Sequence, residues 1–421
     1  MLYSLLVMST PLNSYHVLYS VAMSLYRKFY NVICSQLGPS TRDVAIILKC
    51  MAQVYHDKSQ YDEAAKLYNK SLDTTKNTLG ELHAEVASLL NKIGNMNYEN
   101  SDFEAAIKVY EEGLAVERAV LKSDHHNIVV TLTNIAQSHK HLGNYAAALE
   151  KYTESYNLQR KLLGSTHSAV ATTLSNVAQV SCRLGRFTQS LKYYKEVLTI
   201  RRAALGDEHQ DVAATLNSIG LVLFKQGRHS LAIEMFEESL SVRRLCLGDR
   251  HRDVAVVLYN VATTHLERGD EDKAMKYYAE TIDVERSSLG KDHPGQVVTL
   301  QHIGQVFRRR GELGVALEYL TEVLRIERLH QGNRSLKVAR ILNKMGNIYL
   351  QKADIPNMMK CFAEATRIFD ALNHEHEQDT SSTPRNDVGI DVDENANTEL
   401  KIIGYNFYSL SIKHPESAAA A

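Results

Sequence analysis

A strict 42-residue period constrains this chain more than any other feature. Leu-Gly pairs stand at Leu37-Gly38, Leu79-Gly80, Leu163-Gly164, Leu205-Gly206, Leu247-Gly248 and Leu289-Gly290, and Leu121-Lys122 and Gln331-Gly332 fill the two gaps in degenerate form. Self-similarity at such a spacing marks stacked supersecondary units, each too small to bury its apolar face without a neighbour. A chain of 421 residues would otherwise suggest two or three globular domains. An array escapes that expectation because its core grows by repetition.

The columns of the repeat give the unit. Ten residues after each marker stands Leu: Leu48, Leu90, Leu132, Leu174, Leu216, Leu258, Leu300 and Leu342. Three positions later comes Ile, Val or Met, as at Ile93, Ile135, Val177 and Ile219, and the next position is always small: Ala52, Gly94, Ala136, Ala178, Gly220, Ala262, Gly304, Gly346. Apolar spacings of three and four trace one face of a helix, called A here. Gly inside a helix costs propensity, so its recurrence predicts another helix backbone packed close by. A breaker follows at Gly143, Gly185, Gly227, Gly269 and Gly311. Helix B then carries Ala64, Ala106, Ala148, Ala232, Ala274 and Ala316 in one column. Four residues on it carries Tyr68, Tyr110, Tyr152, Tyr194, Phe236, Tyr278 and Phe362, with Leu320 the exception. Small against aromatic suits packing between paired helices. The Leu-Gly loop suits a helix C-cap, and Asp43, Asp211 and Asp253 sit where the start of helix A favours acids.

Eight such units span 38–373. Residues 1–37 read as a degenerate half-repeat or cap: Ala22 and Tyr26 occupy the small and aromatic columns, a helix is expected over about 20–36, and Pro11 breaks the stretch before it. The last unit departs from the pattern at Ala353, Met358 and Thr366. Residues 374–421 form a tail. The stretch 371–399 has eight acids against one Arg and no periodicity, which predicts disorder.

Composition narrows the function. A net charge of −1 gives no field for nucleic acid or an anionic membrane. No run reaches the ~18 apolar residues of a membrane span, and Met1–Val7 is short and lacks the basic start of a secretory signal. Five scattered cysteines without C-x-x-C fit free thiols in a reducing, cytoplasmic compartment. His83, His125, His167, His209, His251 and His293 recur three residues after the marker. They cannot form a metal ladder: packed helices lie ~8–10 Å apart, and zinc needs each nitrogen at about 2 Å. Loop packing or capping is expected of them instead. No phosphate-binding Gly loop, G-x-S-x-G elbow or H-E-x-x-H is present. The chain reads as non-catalytic, without cofactor or metal.

The A-helix pattern L-x-x-I/V-A/G and the B-helix pattern G-x-Y/F-x-x-A-x-x-x-Y/F resemble the tetratricopeptide repeat, whose usual period is 34 residues. The longer unit and the linker at Leu205–Asn217, L-G-x-x-H-x-x-V-A-x-x-L-N, resemble the cargo-binding repeats of kinesin light chains. The resemblance implies an all-α, right-handed α-α superhelical solenoid. In it the A helices line a concave groove that takes an extended peptide or a helix. It also raises kinesin heavy chain as a partner. Kinesin light chains reach the motor through an N-terminal coiled coil, however, and the 37 residues before the first unit here show no sustained heptads.

The groove candidates are Asn91, Asn95, Asn134, Gln137, Asn176, Gln179, Asn217, Asn260, Gln305, Asn343 and Asn347, with Arg183, Lys225 and Arg308 beside them. Amides both donate and accept, so a ladder of them can bond a peptide backbone in either polarity. The cations would favour an acidic ligand. The alternative is the solvated face of amphipathic helices. An acidic tail lying in a basic groove would compete with such a ligand. The expected function is a protein or peptide scaffold resembling a cargo adaptor. The alternative is a self-associating array, or a motor-independent scaffold for signalling or ciliary proteins.

Overall fold

The computed structural model describes the backbone of residues 15–380 and the side chains of residues 19–373. Seventeen α-helices and no strand occur among them. The chain divides into two compact units, Met1–Gln226 and Gly227–Ala421. In the first, α1 (Tyr15–Leu37) precedes four hairpins. These are α2/α3 (Arg42–Asp57, Tyr61–Leu79), α4/α5 (Ala84–Glu99, Phe103–Val120), α6/α7 (His126–His141, Tyr145–Leu163) and α8/α9 (Ser168–Arg183, Phe187–Leu205), followed by α10 (Gln210–Lys225). The second begins with α11 (His229–Leu247) and continues with α12/α13 (Arg252–Glu267, Glu271–Leu289), α14/α15 (Gln296–Arg309, Leu313–Gln331) and α16/α17 (Leu336–Gln351, Ile355–Thr380). Neighbouring helices pack in chain order within each unit, as an all-α array of hairpins requires.

The ends of the helices follow from local chemistry. Five of the six loop histidines are N-caps. Nδ1 of His83, His125, His167, His209 and His251 accepts the backbone N–H two residues on, at 3.1 Å in every case. That bond satisfies one donor the helix cannot use. Gly206 and its equivalents end the B helices with φ near +82°, a backbone that suits Gly. In the A–B turn, Gly227 adopts φ +72°. Three hairpins lack Gly there, and Ser59, Ser101 and Ala353 are held at φ 57°, 63° and 57°. The last helix runs to Thr380, beyond the expected start of disorder at 371. Ala371, Leu372, Glu375, Glu377 and Gln378 are good helix formers. The rest of the acidic tail, 381–421, lies outside the described residues.

The core repeats with the sequence. Tyr68, Tyr110, Tyr152, Phe236, Tyr278 and Phe362 are all fully buried, together with Leu48, Leu90, Leu132 and Leu174. A ring of this size removes ~150–250 Å² from water, roughly 4–6 kcal/mol at ~25 cal/mol per Å². The small column differs from its sequence reading. At Gly94 the close neighbour is the aromatic ring of helix B rather than another backbone. A Cβ there would lie 2.5 Å from Tyr110 Cδ1, and one at Gly346 would lie 2.6 Å from Phe362 Cε1. Only a residue without Cβ lets the ring lie that close.

Polar groups also cross between hairpins. The Asn91 amide donates to Glu117 Oε1 and to Thr131 Oγ1, each at 2.9 Å, joining α4, α5 and α6. Arg201 Nη1 donates to Thr215 Oγ1 at 2.8 Å, and Thr299 Oγ1 reaches Glu285 Oε1 at 3.4 Å in the same register. Successive B helices are tied by Lys76–Glu112 (2.9 Å) and Arg328–Glu364 (2.6 Å), and by Arg118–Glu154 and Arg244–Glu280.

Candidate functional site

The apolar columns commit one side of each A helix to the core. What remains is a line of four residues, spaced four, three and four apart, on the opposite edge. In the first unit the lines are Ile46, Cys50, Gln53, Asp57 on α2; Ser88, Lys92, Asn95, Glu99 on α4; Val130, Asn134, Gln137, His141 on α6; Thr172, Asn176, Gln179, Arg183 on α8; and Ala214, Ser218, Leu221, Lys225 on α10. In the second they are Val256, Asn260, Thr263, Glu267 on α12; Val298, His302, Gln305, Arg309 on α14; and Arg340, Lys344, Asn347, Gln351 on α16. Every one of these residues is exposed or half-buried.

Hydrogen bonds join neighbouring lines. Lys92 Nζ donates to Gln53 Oε1 at 2.9 Å, Asn134 Nδ2 to Asn95 Oδ1 at 3.3 Å, and Lys140 Nζ to Gln179 Oε1 at 3.3 Å. In the second unit Arg308 Nε donates to Gln351 Oε1 and Lys344 Nζ to Gln301 Oε1, both at 3.1 Å. The buried tyrosines reach the same line from beneath: Tyr68 OH donates to Gln53 (3.0 Å) and Tyr110 OH to Asn95 (2.6 Å). On α2 and α4 the third member of the line is thus fixed in place, so a ligand meeting it orders little that is mobile.

The structure places the sequence candidates unequally. Asn95, Asn134, Gln137, Asn176, Gln179, Arg183 and Lys225 lie on the lines of the first unit, and Asn260, Gln305 and Asn347 on those of the second. Arg308 sits beside the α14 line. Asn91, Asn217 and Asn343 stand one residue ahead of the line, a rotation of about 100° about the helix. Asn91 spends both its polar atoms inside the hairpin stack, since its Oδ1 also accepts from Thr131 at 3.2 Å. Asn217 is half-buried, and the Oδ1 of Asn343 is closed off from solvent. The residues missed at the sequence level are Ile46, Val130, Val256 and Val298, which open their lines at 39, 44, 48 and 51 % exposure. Their column reads as core by residue type, and only its spacing from the Asn column assigns it to the open edge.

Charge is uneven along the first unit. Asp57 is hydrogen-bonded by Gln53 (2.8 Å), and Glu99 by His56 (2.9 Å). Lys140, Arg183 and Lys225 have no acidic partner among the described residues. Burial, and then the nearby Arg183, pull the Lys140 ammonium below its usual range. Burial pushes the Cys182 thiol up, against the pull of Lys225 and Arg183. The described residues contain no group of three metal-ligating side chains and no helix long and apolar enough to cross a membrane.

Tandem helical hairpins with an open face of amides, valines and cations define a non-catalytic helical-repeat protein of the kind that acts as a scaffold for other proteins. The tetratricopeptide repeat family matches residues 43–119, 85–161, 127–203, 169–245, 211–287 and 253–328, each window starting 42 residues after the last. The chain belongs to that family, in its 42-residue, kinesin light chain-like form. No curated protein matches it in sequence. Among solved structures it is similar to a Podospora anserina protein with nearly identical, kinesin light chain, tetratricopeptide-like repeats (17 % identity, 48 % of this chain and 97 % of that one, TM-score 0.44). It is also similar to BtubC of P. vanneervenii (18 %, 56 % and 91 %, TM-score 0.45) and to the apo form of RapI (14 %, 68 % and 97 %, TM-score 0.49). The family assignment stands on the repeat matches.

Proposed function

We infer that the first unit holds a segment of a partner protein along the A-helix lines of α4, α6, α8 and α10. The observation that supports this is the exposed row of amides at Asn95, Asn134, Gln137, Asn176 and Gln179, with Val130 and Thr172 beside it. Amides anchor a backbone, the apolar residues bury side chains, and the unpaired Lys140, Arg183 and Lys225 favour an acidic segment. This is a cargo-type adaptor role without catalysis, in a cytoplasmic setting. Kinesin heavy chain would be an additional partner, to be sought among copurifying proteins. The test is capture from native lysate by the full chain and by its Asn176→Ala/Gln179→Ala variant. A partner lost from the variant at unchanged melting temperature supports the reading. A partner kept equally by both removes these lines as the binding surface.

A second reading, self-association, is favoured by α1. Val21, Leu25, Phe29 and Val32 are 49–56 % exposed and fall on one helical stripe. Sedimentation of the chain and of a Leu25→Glu/Phe29→Glu variant tests it. A dimer that the variant abolishes is required.

A further inference from the structure

The aromatic column of helix B is broken once, at Leu320. In other hairpins a ring fills the space beside the small residue of its own A helix. Tyr110 does so over Gly94, where a Cβ would stand 2.5 Å from ring carbon Cδ1 and 2.9 Å from Cζ. At Gly304 the nearest atoms to such a Cβ are Ala316 O (3.4 Å), Tyr319 Cβ (3.5 Å) and Leu320 Cγ (3.8 Å). No ring lies over this glycine.

The missing ring leaves a pocket of about 310 Å³, lined by Gln301, His302, Gly304, Gln305, Arg308, Leu320, Lys344 and Ile348, all in the second unit. The equivalent cleft between α4 and α6, where Tyr110 is present, measures about 170 Å³. Its lining Asn95, Tyr98, Tyr110 and Asn134 occupy the same repeat columns as Gln305, Arg308, Leu320 and Lys344. The two sites differ by the ring and by charge. Around the smaller cleft stands Glu99, whereas the larger one has Arg308 and Lys344 at its rim. Both cations bond only neutral amides, Gln351 and Gln301, and neither has an acidic partner among the described residues.

We propose that this pocket between α14 and α16 is a docking site for an aromatic side chain of a partner peptide whose adjacent residues are Asp or Glu. The ring of the ligand takes the place that the chain's own Tyr or Phe holds in the other hairpins. The flanking carboxylates pair with Arg308 and Lys344, which gain the charged partner they lack. Leu320 and Ile348 supply the apolar floor, both nearly closed to solvent. The inference rests on the reading of the array as a peptide-binding scaffold, but it concerns the other unit and a pocket rather than the amide row.

The experiment uses the full chain and a fluorescein-labelled, C-terminally amidated peptide, Gly-Asp-Glu-Phe-Asp-Glu-Gly, read by fluorescence anisotropy. Two control peptides replace Phe by Ala, or every acid by its amide. The proposal expects each control to bind about tenfold more weakly or worse. The decisive variant is Leu320→Phe, which restores the column. It is expected to raise the melting temperature by filling the pocket and to weaken the acidic Phe peptide at least about tenfold. Arg308→Gln/Lys344→Gln should erase the difference between acidic and amide peptides while leaving the fold intact. Equal binding of the Phe and Ala peptides, or undiminished binding by a stabilised Leu320→Phe protein, overturns the proposal. A lowered melting temperature for Leu320→Phe also overturns it, because the space is then not that of a ring. Loss of the lysate partner in Asn176→Ala/Gln179→Ala alone, with the peptide unaffected throughout, would leave the scaffold reading standing and remove the pocket.

Discussion

Gly94 and Gly304 occupy the same column of the repeat, yet the same substitution should have opposite effects at the two. Replacing a helix-interior Gly by Ala stabilises by about 1 kcal/mol through backbone entropy. At Gly304 nothing opposes that gain, since a Cβ would meet its neighbours at 3.4–3.8 Å, an ordinary contact. At Gly94 the methyl would overlap the Tyr110 ring, with 2.5 Å to Cδ1 and 2.9 Å to Cζ. The ring has no room to withdraw. Tyr110 is 1 % exposed, and its hydroxyl is held by Asn95 at 2.6 Å. Overpacking of this kind costs about 1–3 kcal/mol, and lifting the hydroxyl from Asn95 adds about 1 kcal/mol. The expected net result is a loss of about 2 kcal/mol for Gly94→Ala and a gain of about 1 kcal/mol for Gly304→Ala. The double variant Gly94→Ala/Tyr110→Leu, which copies the Gly304/Leu320 hairpin with an added methyl, should recover most of the loss. Urea unfolding followed by circular dichroism gives the sign. Hydrogen exchange of the α4/α5 and α14/α15 amides assigns it to the hairpin concerned, since stability in an array is local. Effects of the same sign at the two glycines, or no recovery in the double variant, would show that the ring does not set the requirement for Gly.

Ser59→Gly, Ser101→Gly and Ala353→Gly should each stabilise by about 0.5–1 kcal/mol, because a left-handed backbone costs a side-chain-bearing residue ~1–2 kcal/mol, of which Gly's extra chain entropy returns only part; thermal melts of the single variants measure this. His209→Ala should lose a cap worth about 1 kcal/mol, and His209→Asp should keep most of it, by the same melts. Burial raises the Glu285 carboxyl from its ordinary 4.5 to about 7, and Glu117 moves in the same direction for the same reason. Protonated in both states at low pH, Glu285 is neutral there; between about 4.5 and 7 the unfolded chain sheds the proton first, so stability falls as pH rises through that window. Glu285→Gln should flatten this slope in urea titrations from about pH 4 to 8, and an unchanged slope would count against the buried carboxyl as its source.

Much of the fold is legible in the residues alone. A period of 42 with Leu48, Ala52, Ala64 and Tyr68 repeated through the chain leaves no arrangement but stacked hairpins, because the columns bury themselves only against neighbours. Gly206 and Gly227 announce the turns for the same reason in miniature: few residues tolerate their backbone. The loop histidines are assigned to capping or packing by the impossibility of joining them through one metal. Three things waited for the tertiary structure. The first is which edge of helix A stays open. Asn91 and Asn134 look alike as letters, but one residue's shift turns Asn91 into the stack toward Glu117 and leaves Asn134 on the open line. The second is the identity of the group that demands Gly94, a ring crossing from helix B rather than a backbone. The third is what Leu320 means. In the sequence it is a lapse in a column. In space it is an opening beside Arg308 and Lys344, because a pocket is made by what several distant residues fail to fill, and no single position records that.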